Sequence, residues 1–203
     1  MKNIVIIILI PLSLSVARSQ IIDKSFEYGN DKIIVNVFEV PASIKMVWSA
    51  YDNKEGFTSW AAPVAEVDWR IGGVIRSSFT VGGEIGDPTT TTSYIVNIIP
   101  LKEIVIKDEL LPLLEMGIQA GWLKDIPEDF LKELRKNGSD IFTTIQLEAV
   151  SEENTRLTVY NTGYKSGGYW DIIYQNAVES NKWTYQKLIE RFKNGPIDWN
   201  NKE

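Results

Sequence analysis

Charged side chains alternate along two neighbouring strand-like runs in the first half of the sequence. Glu66, Asp68 and Arg70 fall on one face of the first run, because successive side chains of a strand point to opposite sides. Arg76 lies in the second run, after a glycine turn. If Asp68 and Arg76 lie opposite each other, they form a cross-strand ion pair. The alternative is that Arg76 points into an interior cavity and holds an acidic head group.

The amino-acid composition limits the kinds of catalytic site that the protein can form, because the 203-residue chain contains no His and no Cys. This excludes a Ser-His-Asp triad, a Cys-His pair, a thiolate metal site and any disulfide. Catalysis would have to use carboxylates, Lys, Tyr, Ser or Thr. Gly72-Gly73 and Gly82-Gly83 indicate turns between strands and not a phosphate-binding loop. The sequence therefore indicates no catalytic set, no metal site and no cofactor.

Aromatic side chains are the other feature that could form a site. Seven Trp and eight Tyr offer wide apolar walls with a polar tip, which suits a ligand pocket. In a domain of this size the same side chains also serve as ordinary core. We take as cavity candidates Trp60, Trp69, Arg76, Tyr94, Trp122, Tyr160, Tyr174 and Asn181.

One long helix is predicted over Ser166–Lys193, where apolar residues recur every three or four positions without an interior Gly or Pro. Gly195 and Pro196 follow the helix and are typical of a helix end. Asn181 lies within the apolar stripe of this helix. It must find a buried partner or face something other than a dry core.

The remaining pattern predicts one strand, two short helices and six further strands before the long helix. Short connections between the strands indicate antiparallel neighbours, so a curved sheet of about seven strands needs the helix as its cover. The predicted strands are Lys32–Val40, Val64–Arg70, Val74–Val81, Thr90–Ile98, Glu103–Asp108, Asp140–Val150 and Thr155–Thr162.

A family resemblance rests on particular runs of residues. Val40-Pro41-Ala42-Ser43-Ile44 followed by Val47-Trp48, and above all Val67-Asp68-Trp69-Arg70-Ile71-Gly72-Gly73, resemble the activator of heat-shock-protein-90 ATPase homologue-1-like family of the START-like or SRPBCC superfamily. The resemblance covers about residues 32–193. It implies an α+β helix-grip fold, in which the sheet curls around the C-terminal helix and leaves a cavity between them.

The stretch 110–138 departs from the compact members of that family because it reads as two extra helices. Asp125 and Glu128 suggest a capping pair for the second of them. The segment is either a surface insertion that packs its apolar side on the domain or a lid over the cavity. Gly117 and Gly121 would permit hinge motion, and Trp122 would close the lid.

Residues 1–19 have the pattern of a secretory signal peptide, with cleavage after Ala17 or after Ser19. The apolar run is shorter than the roughly 20 residues of a membrane span, although an uncleaved anchor is the alternative. Removing residues 1–19 takes away two bases and no acid, which changes the net charge from −6 to −8. We therefore expect an exported chain without a membrane span and without nucleic acid as a partner. Residues 20–31 are expected to form a loose lead-in, and residues 195–203 a tail.

Three functional hypotheses follow. The first is an exported, non-enzymatic START-like domain that binds a hydrophobic or amphipathic small molecule. The second is a protein-interaction domain of co-chaperone type, which would use the 110–138 insertion or the outer apolar pair Ile172 and Trp183. The third is a cyclase or hydrolase that uses a carboxylate or Tyr. An interior packed shut would remove the first and third hypotheses together.

Overall fold

A computed structural model describes residues 20–121, 123–124 and 126–201. The predicted signal peptide, Trp122 and Asp125 lie outside the described residues. Within the described part, nine strands and five helices follow one another along the chain. They are β1 Ile22–Asp23, β2 Phe26–Tyr28, β3 Asp31–Val40, α1 Ile44–Ser49, α2 Lys54–Thr58, β4 Val64–Val67, β5 Val74–Ser78, β6 Thr90–Ile99, β7 Glu103–Glu109, α3 Leu110–Gln119, α4 Glu128–Asn137, β8 Asp140–Ala149, β9 Thr155–Lys165 and α5 Tyr169–Asn194.

The strands form one antiparallel sheet in the order β1-β3-β9-β8-β7-β6-β5-β4, with β2 also paired to β3. All seven strands predicted from the sequence are present, and the α+β helix-grip fold is confirmed. The lead-in at residues 20–31 is not loose, because β1 and β2 both pair with β3. Strands of two and three residues are too short to show a strand pattern, and they form by pairing with the long edge of β3.

The first long strand shows how the sheet forms its inner face. Every second side chain of β3 points to the inner face, and these side chains are almost completely buried: Ile34, Asn36, Phe38 and Val40. Two apolar clusters lie between this face and the helices. One surrounds Phe38 and includes Trp48, Trp60 and Leu188, and the other includes Leu114, Phe130, Leu134, Tyr164 and Tyr174.

The long helix α5 is confirmed with slightly shifted ends. It starts at Tyr169 and not at Ser166, because Gly167 and Gly168 adopt positive φ angles that a helix does not contain. Gly195, also at positive φ, ends it as predicted. Its 26 residues span about 39 Å, which is enough to cross the whole sheet, and it packs against β3 and β9.

The glycine pair that carries the family resemblance has a structural role. Strand β4 ends at Val67, earlier than predicted, and the chain turns through Asp68 and Arg70. A Cβ atom on Gly73 would lie 2.0 Å from the backbone oxygen of Asp68, so the turn leaves no room for a side chain. Gly72 donates its N–H to Ile95 at 2.8 Å, and Ile95 donates to Gly73 at 2.9 Å. The motif therefore joins the turn to β6.

The 110–138 segment forms the two helices that the sequence predicted. Helix α4 begins after Pro127, which provides no side-chain cap. The predicted capping pair includes Asp125, which lies outside the described residues. Arg135 links α4 to α3 through Glu115 at 3.1 Å and also bonds Glu128 at 2.9 Å. Phe130 packs edge-on against Trp170 of α5. In the described part of the chain, no helix is both long and apolar enough to cross a membrane.

Candidate functional site

A cavity of about 690 Å³ lies between helix α5, helix α3 and the strands β6, β7 and β9. Most of the surface of its walls is apolar. Helix α3 contributes Leu110, Leu113, Leu114, Met116 and Gly117. The sheet contributes Thr91, Ser93, Asp108 and Tyr164, and the residue after β5 contributes Phe79. Helix α5 contributes Ile173, Asn176, Ala177, Ser180, Trp183, Thr184 and Lys187.

Helical periodicity explains why α5 can serve both the core and the cavity. Ile173, Ala177, Ser180, Thr184 and Lys187 follow each other at steps of three or four and therefore share one face. The face one position further along carries the residues buried against the sheet, Tyr174, Val178, Tyr185 and Leu188. Small side chains on the first face leave the cavity open, while large side chains on the second fill the core.

Asp108 is the acidic group of this cavity. On β7 it follows the buried residues Ile104 and Ile106 at steps of two, so its side chain lies on the same inner face of the sheet. It pairs in register with Ser93 on β6, and the Ser93 hydroxyl donates to Oδ1 of Asp108 at 2.5 Å. Burial raises the pKa of the Asp108 carboxyl above its ordinary value, and the hydrogen bond from Ser93 opposes that shift.

Tyr164 also lines the cavity and sits near Asp108. Its side chain is almost completely buried. Burial raises the pKa of the Tyr164 hydroxyl, and the charge of Asp108 raises it further. The phenol therefore stays protonated at neutral pH and can donate or accept a hydrogen bond.

Lys187 is the basic group of the cavity, and aromatic rings hold it. Its Nζ lies 3.6 Å from the ring centre of Trp183 and 4.5 Å from that of Trp199, which gives two cation–π contacts. Trp199 is itself fixed by a hydrogen bond from Nε1 to the Thr58 oxygen at 2.7 Å. Partial burial lowers the pKa of the Lys187 ammonium, and Glu190 opposes the shift.

Two of the sequence-predicted cavity candidates lie in the core and do not line the cavity. Trp60 is buried and donates from Nε1 to the backbone oxygen of Ala50 at 2.8 Å. Trp69 is partly buried and packs edge-on against Trp48, with ring centres 5.7 Å apart. For both residues, the structure agrees with the alternative that the aromatic side chains serve as ordinary core.

Arg76 and Tyr94 lie towards solvent. Arg76 pairs in register with Glu66, and the two side chains meet at 3.4 Å. The cross-strand ion pair therefore forms with Glu66 and not with Asp68, which instead binds Arg70. The register between β4 and β5 decides this, because it places Glu66 opposite Arg76, whereas the N–H of Asp68 donates to the oxygen of Val74. Tyr94 is exposed, with Lys107 over its ring.

The last candidates are divided between the two sides of the sheet. Tyr160 lines a depression of about 790 Å³ on the outer face, together with charged side chains such as Arg156. Tyr174 is buried beside Tyr164, and Asn181 hydrogen-bonds within the interior. None of the candidates among the described residues lines the 690 Å³ cavity, and Trp122 lies outside the described part.

Sequence reasoning missed Asp108 and Ser93. A signal was present, because Asp108 continues the inward-facing alternation of Ile104 and Ile106, and a carboxyl at such a position is unusual. Within the residues described here, no cluster of three or more acidic side chains is arranged to hold a metal ion. The arrangement can hold an apolar molecule and offer it the carboxyl of Asp108, the ammonium of Lys187 and the hydroxyls of nearby Ser, Thr and Tyr side chains.

Comparison with known families identifies the class. The profile described as Activator of Hsp90 ATPase homolog 1-like protein matches residues 41–180, which is more than half of the chain. The chain belongs to this family, as the runs ending in Gly72-Gly73 indicated. A search of curated protein sequences finds no match.

Solved structures show the same fold at low sequence identity. The solution structure of the Aha1 dimer from Colwellia psychrerythraea is 14% identical, with a TM-score of 0.54 over 80% of this chain and 97% of the other. A protein from Mesorhizobium loti is 12% identical, with a TM-score of 0.55 over 81% of this chain and 99% of the other. A protein from Staphylococcus saprophyticus is 15% identical, with a TM-score of 0.51 over 82% of this chain and 96% of the other.

Proposed function

We propose that this protein is an exported START-like domain that binds a hydrophobic or amphipathic small molecule in the cavity between α3, α5 and the sheet. The observation that carries the proposal is a cavity of about 690 Å³ with mostly apolar walls that include several leucines. Small-molecule sites usually have volumes of about 300–1,000 Å³ and this kind of lining. Export is supported by the signal-peptide pattern of residues 1–19.

The energetics suit a ligand with a hydrocarbon part. Burying roughly ten CH₂ groups gains about 8 kcal/mol. Lost motional freedom and ordering of side chains reduce this gain, so a simple alkyl chain should bind at micromolar or weaker affinity. Polar contacts with Asp108 or Ser93 would add selectivity.

Helix α3 acts in this proposal as the movable wall of the cavity. It lines the cavity through Leu113 and Leu114, while α4 is fixed on α5 through Phe130. The two halves of the 110–138 insertion thus have different roles. One packs into the core, and the other covers the ligand.

A fluorescence titration with the neutral dye Nile red tests ligand binding. Ala177→Phe adds a ring inside the cavity and should abolish saturable dye binding. Gln175→Phe adds the same ring at an exposed position of the same helix and should leave binding unchanged. Equal dye binding by the two variants would contradict the assignment of the cavity. Export is tested separately by N-terminal sequencing, which should find secreted protein beginning at or near Gln20.

A protein-interaction role is favoured by one observation. Ile172 and Trp183 on α5 are 49% and 60% exposed, more than is usual for large apolar side chains. Because Trp183 also contacts the cavity, Ile172→Ser is the clearer probe. Cross-linked pull-downs should lose a specific partner with this variant while Nile red still binds, and a partner unaffected by Ile172→Ser would count against this surface.

A further inference from the structure

We infer that the ligand is an amphipathic amine, whose ammonium group binds Asp108 and whose hydrocarbon part lies against the leucines of α3. This inference rests on the proposed function, since it requires that the cavity be a ligand site. It goes further by naming the chemical class of the ligand and the side chain that selects it.

The first argument is that Asp108 has no cationic partner. Among residues 20–121, 123–124 and 126–201, its one hydrogen-bond partner is Ser93, and no Lys or Arg lies within ion-pair distance. The neighbouring Lys107 points to the outer face, where it pairs with Glu109 and Asp140. A carboxylate can accept several hydrogen bonds, so Asp108 has acceptor capacity for a ligand.

The second argument concerns the free energy of a carboxylate in this environment. Asp108 is partly buried beside Tyr164 and the leucines of α3. An ionised carboxylate that is taken out of water without a counter-charge is unfavourable. A ligand ammonium would supply the counter-charge and charge-assisted hydrogen bonds. A neutral alcohol would only replace water, so it should bind less tightly than the amine.

The third argument weighs the opposite ligand charge. Lys187 could attract a fatty acid, but its ammonium is already held between the rings of Trp183 and Trp199. Like charges in one site repel each other, so Asp108 opposes a ligand carboxylate. Lys187 opposes a ligand ammonium in the same way, and the relative affinities of an amine and an acid decide between the two. Thr91 and Tyr164 line the same cavity, and their hydroxyl oxygens can accept a hydrogen bond from a ligand ammonium bound at Asp108.

The experiment compares the binding of decylamine, 1-decanol and decanoate, which have hydrocarbon chains of the same kind and differ in their polar end. Isothermal titration calorimetry measures the three affinities. A salt concentration of about 0.15 M screens the net negative charge of the protein. For the wild type we expect decylamine to bind at least about tenfold more tightly than decanol, in keeping with the strength of charge-assisted hydrogen bonds. Asp108→Asn, which keeps the shape of the side chain, should remove most of that advantage and leave decanol binding within about twofold.

Glu109→Gln is the matched control, because it removes the same charge from the next residue, on the outer face. It should leave all three affinities unchanged. If decanol binds as well as decylamine, or if Asp108→Asn and Glu109→Gln lower decylamine affinity equally, the amine assignment is wrong while the proposed function stands. Tighter binding of decanoate overturns the amine assignment in favour of Lys187. If none of the three probes binds the wild type, the proposed function itself fails.

Discussion

The side-chain amide of Asn181 on α5 donates from Nδ2 to Oδ1 of Asn161 on β9 at 2.8 Å. Asn161 in turn donates from Nδ2 to the hydroxyl oxygen of Thr143 at 2.7 Å. The Nδ2 of Asn181 also donates to Oδ1 of Asn36, over a longer distance of 3.5 Å. This amide cluster is a polar link between the long helix and the sheet. It resolves the sequence-based question about Asn181 in favour of a buried hydrogen-bond partner.

Asn181→Ala should therefore destabilise the protein by about 1–3 kcal/mol, because the amides of Asn161 and Asn36 lose a buried partner. Urea denaturation measures the change. Lys182→Ala, on the exposed side of the same helix turn, removes surface ion pairs to Glu179 and Asp23 and should cost less than about 1 kcal/mol. Equal losses for the two variants would show that the amide cluster does not anchor the helix.

Gly73→Ala should destabilise the protein by more than about 2 kcal/mol, since a Cβ atom would overlap the Asp68 backbone oxygen and the turn must shift. Gly82→Ala is the matched control. It lies in a turn at positive φ with open space around it, so only the conformational cost of about 1 kcal/mol applies. Thermal unfolding of both variants measures the difference. A Gly73→Ala protein as stable as the control would remove the steric explanation of the glycine motif.

Asp108→Asn should stabilise the ligand-free protein at neutral pH. The folded chain holds the Asp108 proton more tightly than the unfolded chain does, because burial raises its pKa above 3.8. A raised carboxyl pKa means that stability is lost as the pH rises through the folded-state value. The advantage of the Asn variant should thus be largest near neutral pH and shrink towards about pH 4. Tyr164 and Tyr185 do not interfere, since burial raises their pKa values.

Urea unfolding of both proteins between about pH 4 and pH 8 measures this difference. An advantage that does not change with pH, or that grows as the pH falls, would show that the carboxyl is not shielded from water.

Leu113→Ala should speed ligand exchange more than it lowers stability, because Leu113 lies on the cavity side of α3 and is only partly buried. Leu134→Ala is the contrasting variant. Leu134 is fully packed in α4, so its loss should cost about 2–5 kcal/mol with little effect on exchange. Stopped-flow Nile red release gives the rates. The sequence makes the same prediction for Trp122→Ala. Exchange rates that stay at the wild-type value in both Leu113→Ala and Trp122→Ala would contradict the lid hypothesis.

Much of the fold could be predicted because its patterns are local. The α5 stripe and the alternation of β3 depend on near neighbours in the chain, and both are confirmed. The failures come from tertiary context. The short strands β1 and β2 exist only because β3 offers a free edge, and the partner of Arg76 depends on the register between β4 and β5.

The candidate site was harder to predict for a related physical reason. The sequence analysis placed large aromatic residues in the cavity walls, but several of them pack in the core. Trp60 packs against Tyr51, and Trp69 packs against Trp48. The cavity instead exists where α5 carries small residues such as Ala177 and Ser180. The sequence pattern does not show where small side chains will leave an unfilled space between a helix and a sheet. The inward position of the Asp108 carboxyl, in contrast, could have been predicted from the alternation of side chains along β7.

The most direct test of the cavity as a ligand site is a titration of methyl-labelled protein with 1-decanol, followed by nuclear magnetic resonance. The cavity methyls belong to Leu110, Leu113, Leu114 and Ile173. We expect their signals to shift and to saturate at one ligand per protein, while core methyls such as those of Leu157 stay in place. Shifts confined to Val37 in the outer-face depression, or shifts that never saturate, would contradict the proposed function.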